Sequence, residues 1–413
     1  MHTIIIFNLL KLLQMHEFDL IYIYLNASLE KNSVQDKVVA QLHAMNDDGI
    51  RAHGLFFTID TGVKPKLQIN QFFEFIHVDS NVKGWFRSIR ENRLMLKAMI
   101  KYIDNHSINK ACLYIRSHRP SYAWCSFIRR YSNMLIVEHQ TIEKEELRNL
   151  SSTNKIGLRP SKFLSWIEFS LVPKIQEVMW GGLSIGRCKR LVGVTEEITQ
   201  YELNRAILGR PEGYTITNGI IVENYKLREP PYFNGQELHL LMLVGGTTDV
   251  DWHGIDLILQ GIQKYTGTCE IKLHIAGHSN ILEKYESSHL IKHGYLNKEQ
   301  IDTLSDQCHL ALGTFAFERK GLKEASTLKM REYAARGIPA VYGHFDFDYK
   351  ELENRKLALR LDSMVPPSFD RIIEFARSVN IPGISEQIRD EAAKRMGMIA
   401  KMRALKEILV ELK

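Results

Sequence analysis

Short runs of β-branched and other apolar residues alternate with stretches of helical periodicity along most of the chain, and this alternation restricts the fold more than any other property of the sequence. LIYIYL begins at residue 20, GLFFTI at 54, FFEFIHV at 72, ACLYIR at 111 and MLIVE at 134, with helical patterns near 33–48 and from 83 onward. Strands separated by helices cannot close as hairpins. They pair in parallel through right-handed crossovers, which covers both faces of the sheet. After a helical stretch near 160–180, RLVGVT at 190, YTITNG at 214, LHLLMLVGG at 238, IKLHIAG at 271, CHLALGTF at 308 and IPAVYG at 338 continue the pattern. At 413 residues and 45% hydrophobic content, the chain exceeds one ordinary core and has apolar material for two. The expected class is α/β, with two doubly wound Rossmann-like domains facing a cleft at the carboxyl ends of their strands. The expected division is 1–185, 186–385 and a closing helix over 386–413 that packs back toward the first domain. The proline-containing connector LREPPYFNGQEL at 227–238 is the sharpest break in composition.

Bulk properties exclude several classes. The 54 Lys and Arg against 48 Asp and Glu leave +6, too thin an excess for a nucleic-acid surface. Cys112, Cys125, Cys188, Cys269 and Cys308 are scattered and odd in number, without a C-x-x-C pair, so neither a disulfide frame nor a zinc site is indicated and a reducing cytoplasm fits. The first apolar run is broken by Asn8 and Lys11, is too short to span a bilayer and lacks a basic leader; Met15 is an alternative start.

The segment EASTLKMREYAARGIP, residues 324–339, carries the chemistry. On one continuous helix, Glu324 and Glu332 would lie about 80° apart in azimuth and about 12 Å apart along the axis, too far to share one ligand atom. Gly321 and the lack of periodicity before it make Glu324 a loop residue. Ser326 or Thr327 can cap a helix from about Leu328 to Arg336, ended by Gly337 and Pro339. Free N–H groups at Thr327, Leu328 and Lys329 would favour an anion, and the Lys329 ammonium would add to them. A carboxylate accepts hydrogen bonds and suits vicinal hydroxyls. A sugar nucleotide has such hydroxyls on both sides of its diphosphate, so one acid per sugar explains the spacing.

The E-x7-E pattern followed by Gly-x-Pro resembles the donor-site signature of retaining GT-B glycosyltransferases of the family 4 type. RLVGVTEEITQYE with YTITNGI, and LMLVGG with WHGIDLILQGI and IKLHIAG, resemble the strand and loop passages of the same family's nucleotide domain. RKGLKEASTLKMREYAARGIP and YIR at 114–116 are similar to a bacterial surface-polysaccharide subgroup. The resemblance implies that Glu324 contacts the transferred sugar and Glu332 holds the nucleotide ribose, with Asn218 of TNGI beside them. The family's Arg and Lys that neutralise the diphosphate are missing: Gly246, Thr247 and Thr248 occupy the first region and His253 the second, leaving Arg319, Lys320 or Lys329 to restore the charge. Thr327 stands where the family has glycine. DVDWHG contains a literal D-x-D, read as solvation by Asp249 and a helix cap by Asp251 rather than a metal site. No metal or other cofactor is expected.

In the first domain, Glu138 and His139 follow an apolar strand. The resemblance offers His139 as a residue near the anomeric carbon, against a purely structural role. Arg116 and Glu138 are placed on the acceptor side, with an Arg116–Glu138 salt bridge as the alternative. Lys83, Arg87, Arg90, Arg93, Lys97 and Lys101 share one face of the helix from 83, opposite Trp85, Ile89, Leu96 and Met99. That face is either simply solvated or lies near an anionic membrane surface. The resemblance implies a hexosyltransferase that moves sugar from a nucleotide diphosphate to a saccharide or lipid-linked saccharide in capsule or exopolysaccharide synthesis, located in the cytoplasm or at the inner face of the cell membrane. A non-catalytic sugar- or nucleotide-binding partner and a GT-B epimerase are the alternatives.

Overall fold

The computed structural model describes residues 18–25, 33–59, 72–80, 82, 87–106, 108, 110–142, 144–145, 166–245 and 251–411. The chain forms two compact units, one of 1–216 with 402–413 and the other of 217–401. Each is built on one parallel sheet, as the alternation of elements requires.

In the first unit β1 (Leu20–Tyr24), β2 (Ala52–Ile59), β3 (Phe73–Val78), β4 (Cys112–Arg116), β5 (Leu135–His139), β6 (Arg190–Gly193) and β7 (Glu212–Thr215) are ordered β3-β2-β1-β4-β5-β6-β7. Ile21, Ile23, Leu113, Ile115 and Val137 face Met95, Met99, Trp124 and Phe127 in one apolar cluster. Helices cover both sides, so β1 and β5 read as near-continuous apolar runs. The second sheet comprises β8 (Glu237–Gly245), β9 (Glu270–His278), β10 (Leu290–Gly294), β11 (Leu310–Leu312), β12 (Ala340–Tyr342) and β13 (Ala358–Arg360), ordered β10-β9-β8-β11-β12-β13. Its core joins Leu240, Met242, Ile258, Ile275, Leu312 and Val341 to Met330, Tyr333 and Ala334 of the Leu328–Ala335 helix.

The division between units differs from the expected one at 185/186. Strand β6 pairs with β5 from Ile136↔Arg190 to His139↔Gly193, and β7 pairs with β6, so residues 190–215 complete the first sheet. The connector at 227–238 is a strap packed on the second unit. Its Arg228 is 5% exposed and donates to the Cys308 carbonyl at 2.6 Å, and its Phe233 is bonded on both sides by Asn380. The Ile384–Met396 helix belongs to the second unit, whereas the final helix groups with the first from Met402 on, its Arg403 and Lys406 pairing with Asp48 at 3.0 and 3.2 Å.

Two places follow from this topology. In a doubly wound sheet the strand order reverses once, and the loops that diverge there leave a crevice at the carboxyl ends. The reversal lies between β1 and β4 in the first sheet and between β8 and β11 in the second. Among the described residues, no helix is long and apolar enough to cross a membrane.

Candidate functional site

The loops after β8 and β11, which flank the reversal in the second sheet, bring together most of the residues singled out in the 324–332 segment. After β8, Asp251 caps the Ile255–Lys264 helix, accepting from the Gly254 N–H at 2.9 Å and from the Asp256 N–H at 3.3 Å. Tyr285 donates to the same carboxylate at 2.9 Å. These bonds hold the Asp251 carboxylate at the start of that helix, while Gly246 and Asp249 lie outside the described residues. Gly254 is required for two reasons. Its φ is +78°, and a Cβ there would stand 3.0 Å from the Phe315 Cβ. The close approach lets Phe315 N–H donate to the His253 carbonyl at 3.0 Å, which ties the two flanking loops to each other.

After β11 the chain makes a short helical turn at Phe317–Lys320 and a left-handed turn at Gly321, then runs extended to Thr327. Glu324 lies in that extended stretch, 8% exposed, bridged in parallel to Phe345. Ala325 N–H donates to the Phe345 carbonyl at 2.9 Å, and Phe345 N–H to the Lys323 carbonyl at 3.1 Å. The helix then spans Leu328–Ala335 and ends at Gly337, φ +75°. Its N-cap is Thr327, but neither proposed cap acts as one. Thr327 makes no side-chain cap bond, and the Ser326 hydroxyl accepts from the Asn218 N–H at 2.7 Å. The first-turn N–H groups are therefore left for something else, at the positive end of the helix dipole.

Asn218 supports this turn from below. Its side-chain amide donates to the Ser326 carbonyl, and its own carbonyl accepts from Arg331 Nε at 3.1 Å. These contacts fall on the loop, while the Asn218 Oδ1 has no hydrogen-bond partner. Arg331 is fully buried and forks onto Asp346 and Asp348, and Lys401 completes the network at 2.7 Å from Asp348. Glu332 points the other way around the helix, its side chain 27% exposed, with Oε2 accepting from Arg336 at 3.0 Å. Burial holds its carboxyl above the usual range despite Arg336.

The basic groups divide. Arg319 forks onto Asp256 at 2.8 and 2.7 Å and donates to the Asp251 carbonyl at 2.7 Å, so its charge is paired with the Ile255–Lys264 helix. Lys320 lies 4.3 Å from the centre of the Trp252 ring. Lys329 Nζ is 2.9 Å from His253 Nδ1, and Trp252 is 5.1 Å from it. His253, 2% exposed, directs Nε2 to the Gly245 carbonyl at 3.3 Å. Burial and Lys329 hold its pKa well below the ordinary value, so the positive charge expected at this position is absent.

Two residues went unnoticed in the sequence. Thr314 and His344 each stand two places beyond an apolar strand, after Gly313 and Gly343, and both are buried. His344 Nδ1 donates to the Thr314 carbonyl at 3.2 Å, and burial pushes its pKa down to about 3, so Nε2 carries a lone pair. That Nε2, Thr314 Oγ1, Thr327 Oγ1 and Asn218 Oδ1 are buried without a hydrogen-bond partner. Buried polar atoms are nearly always partnered, so this group, on the loops after β7, β11 and β12, is a candidate ligand-binding set. The repeated order of apolar strand, Gly and polar residue was the available signal.

In the first unit the arrangement departs from expectation. Glu138, 2% exposed, accepts from Lys37 at 3.1 Å and from Tyr22 at 3.1 Å. Burial alone would raise its pKa, but Lys37 and Arg116 outweigh it and hold the carboxylate charged. Its ion pair is thus with Lys37 and not with Arg116. Arg116 lies with its guanidinium 5.8 Å from the Tyr24 ring. His139 is 1% exposed, its Nδ1 3.7 Å from Glu202 Oε2 on the Glu196–Asn204 helix. At that distance the ring and the carboxylate do not hydrogen-bond, and His139 lies in the interior of the first unit.

No family profile and no curated protein matches the sequence. Solved structures do match along nearly the whole chain. Sucrose-phosphate synthase from Thermosynechococcus elongatus superimposes with a TM-score of 0.64 at 11% identity, covering 96% of this chain and 99% of that one. Anabaena Alr3699/HepE in complex with UDP and glucose gives 0.59 at 12% identity, covering 95% and 99%. WaaG, a glycosyltransferase involved in lipopolysaccharide biosynthesis, gives 0.58 at 12% identity, covering 94% and 99%. The two parallel-sheet units have the GT-B fold of these glycosyltransferases.

Proposed function

We propose that the protein is a retaining glycosyltransferase that takes a hexose from a nucleotide diphosphate sugar and passes it to a saccharide or lipid-linked saccharide in the synthesis of a surface polysaccharide. The observation that carries this reading is the uncapped start of the Leu328–Ala335 helix, set between Glu324 and Glu332 at the reversal of the second sheet. A diphosphate would sit on the first-turn N–H groups, where the helix dipole stabilises the negative charge that grows as the nucleotide departs. Glu324 would accept from hydroxyls of the transferred sugar, and Glu332, still partly exposed beside Arg336, from the ribose. The bond from the anomeric carbon to the diphosphate breaks and a bond to the acceptor oxygen forms on the same face. The acceptor proton passes to the departing phosphate oxygen, so no side-chain nucleophile is needed and no metal is called for. One similar protein, Anabaena Alr3699/HepE, has been seen with UDP and with UDP-glucose, which makes UDP-glucose the first donor to try.

The acceptor would lie on the first unit. There a cavity of about 310 Å³ is lined by Asn92, Arg93, His118, Arg119, Tyr122 and Gln176. Beside it runs the Arg87–Asn105 helix, whose Arg87, Arg90, Arg93, Lys97 and Lys101 are exposed; Lys83 and Trp85 lie outside the described residues. Leu171, Ile175, Val178 and Met179 are also exposed. A basic face together with exposed apolar side chains fits a lipid-linked acceptor at an anionic membrane.

Glu332→Ala is expected to raise the donor KM about tenfold, the loss of one or two hydrogen bonds to a charged group, with little change in kcat. Steady-state kinetics with a saturating acceptor checks this; an unchanged KM would remove the ribose assignment. Product formed from donor alone would instead favour an epimerase, and donor binding without transfer a non-catalytic partner.

A further inference from the structure

Lys329 is held in an unusual way. A lysine side chain only donates when charged, and His253 Nδ1 at 2.9 Å must then be a lone pair. The other ring nitrogen, Nε2, is left as N–H and points to the Gly245 carbonyl at 3.3 Å. The chain Gly245 carbonyl, His253, Lys329 therefore has one consistent direction, with the imidazole neutral and fixed in one tautomer. No carboxylate among the described residues lies within ion-pair distance of Lys329 Nζ. The groups that face it are Asp251, Lys320, His253 and His344. Asp251 has both oxygens engaged by Gly254, Asp256 and Tyr285, and Lys320 adds a like charge across the same Trp252 ring. Burial pushes the Lys329 pKa down to about 7, Asp251 opposing and Lys320 reinforcing the shift.

Resting on the donor-site reading above, we propose that Lys329, positioned by His253, is the counter-charge to the donor diphosphate in this chain, and that it takes up a proton when the diphosphate binds. His253 thus does not replace the basic residue absent from its position; it orients the lysine that does, reaching in from the opposite loop. A ligand anion beside Nζ stabilises the ammonium and raises its pKa, so affinity must depend on pH wherever the free protein holds a neutral amine. With one linked proton, the UDP dissociation constant is flat below about pH 7 and rises about tenfold per pH unit above it. A terminal phosphate with a second pKa of about 6 is already ionised at pH 8 and contributes little there.

Titration calorimetry with UDP at pH 8, in two buffers of different ionisation enthalpy, measures the uptake directly. Most of one proton per UDP is expected for the wild type. Lys329→Arg, permanently charged, should bind UDP with almost no uptake and a flat profile from pH 7 to 9. Lys329→Met should lose affinity more at pH 6.5 than at pH 9. His253→Gln should shift the pH at which affinity begins to fall, which a merely structural role would not do. UDP binding by the wild type without proton uptake, or uptake that persists in Lys329→Arg, overturns the proposal and leaves the donor site standing. No UDP binding at any pH overturns both.

Discussion

Glu324→Gln should lower kcat by about 100-fold or more while leaving the donor KM within a few-fold of the wild type. The substitution keeps the size of the side chain and the backbone bonds to Phe345, so the loop should hold its course. What changes is charge and hydrogen-bonding character: an amide offers one acceptor oxygen where the carboxylate offered two, and it cannot balance positive charge developing on the sugar ring. Groups that act mainly on the transition state contribute about 10²–10³ in kcat each. Glu324 is nearly buried, where such interactions are less screened than in water. A kcat within threefold of the wild type would show that Glu324 does not touch the reacting sugar.

The largest effect on stability should come from Arg331→Leu. Arg331 is 0% exposed and is held by Asp346, by Asp348 and by the Asn218 carbonyl. Leucine fills much of the volume but leaves Asp346, itself 0% exposed, without its partner, and Asp348 with Lys401 alone. Breaking a buried pair from one side costs about 3–5 kcal/mol. That corresponds to a fall of about 10 °C in the Tm of a unit this size, readable by calorimetry or a urea midpoint. Combining Arg331→Leu with Asp346→Leu should recover part of the loss, because the second change removes the stranded charge. A shift of less than 1 °C in the single variant would mean that the network is not closed as described. The same arginine steadies Asn218, and Asn218 steadies Ser326, so residual activity in Arg331→Leu should fall more than the folded fraction does.

What could be read without coordinates was mostly local. The parallel sheets follow from apolar runs and helical periods within ten or fifteen residues of each other. The non-helical setting of Glu324 and the start of the helix at Leu328 follow from Gly321, Gly337 and Pro339. What could not be read depends on partners distant along the chain. Arg319 reads as a free cation until Asp256, 63 residues away, forks onto it. Glu138 reads as an exposed acid at a strand end until Lys37, 101 residues away, reaches it. His139 sits where a doubly wound sheet often presents ligand-facing residues, yet its 1% exposure and its place 3.7 Å from Glu202 on a later helix could not be read from its own strand. The 185/186 division misled because the long helical stretch before it separates elements along the chain, whereas the boundary between units is set by which strands hydrogen-bond, and β6 and β7 bond to the first sheet.

The central claim is that an activated sugar is bound at both ends with its diphosphate on the first turn of the Leu328–Ala335 helix. A crystal structure with UDP-glucose bound is the direct measurement. The account predicts the diphosphate against the N–H groups of Leu328, Lys329 and Met330, the glucose hydroxyls on Glu324 and the ribose on Glu332. UDP-glucose lodged elsewhere, with that turn still bare, would contradict it.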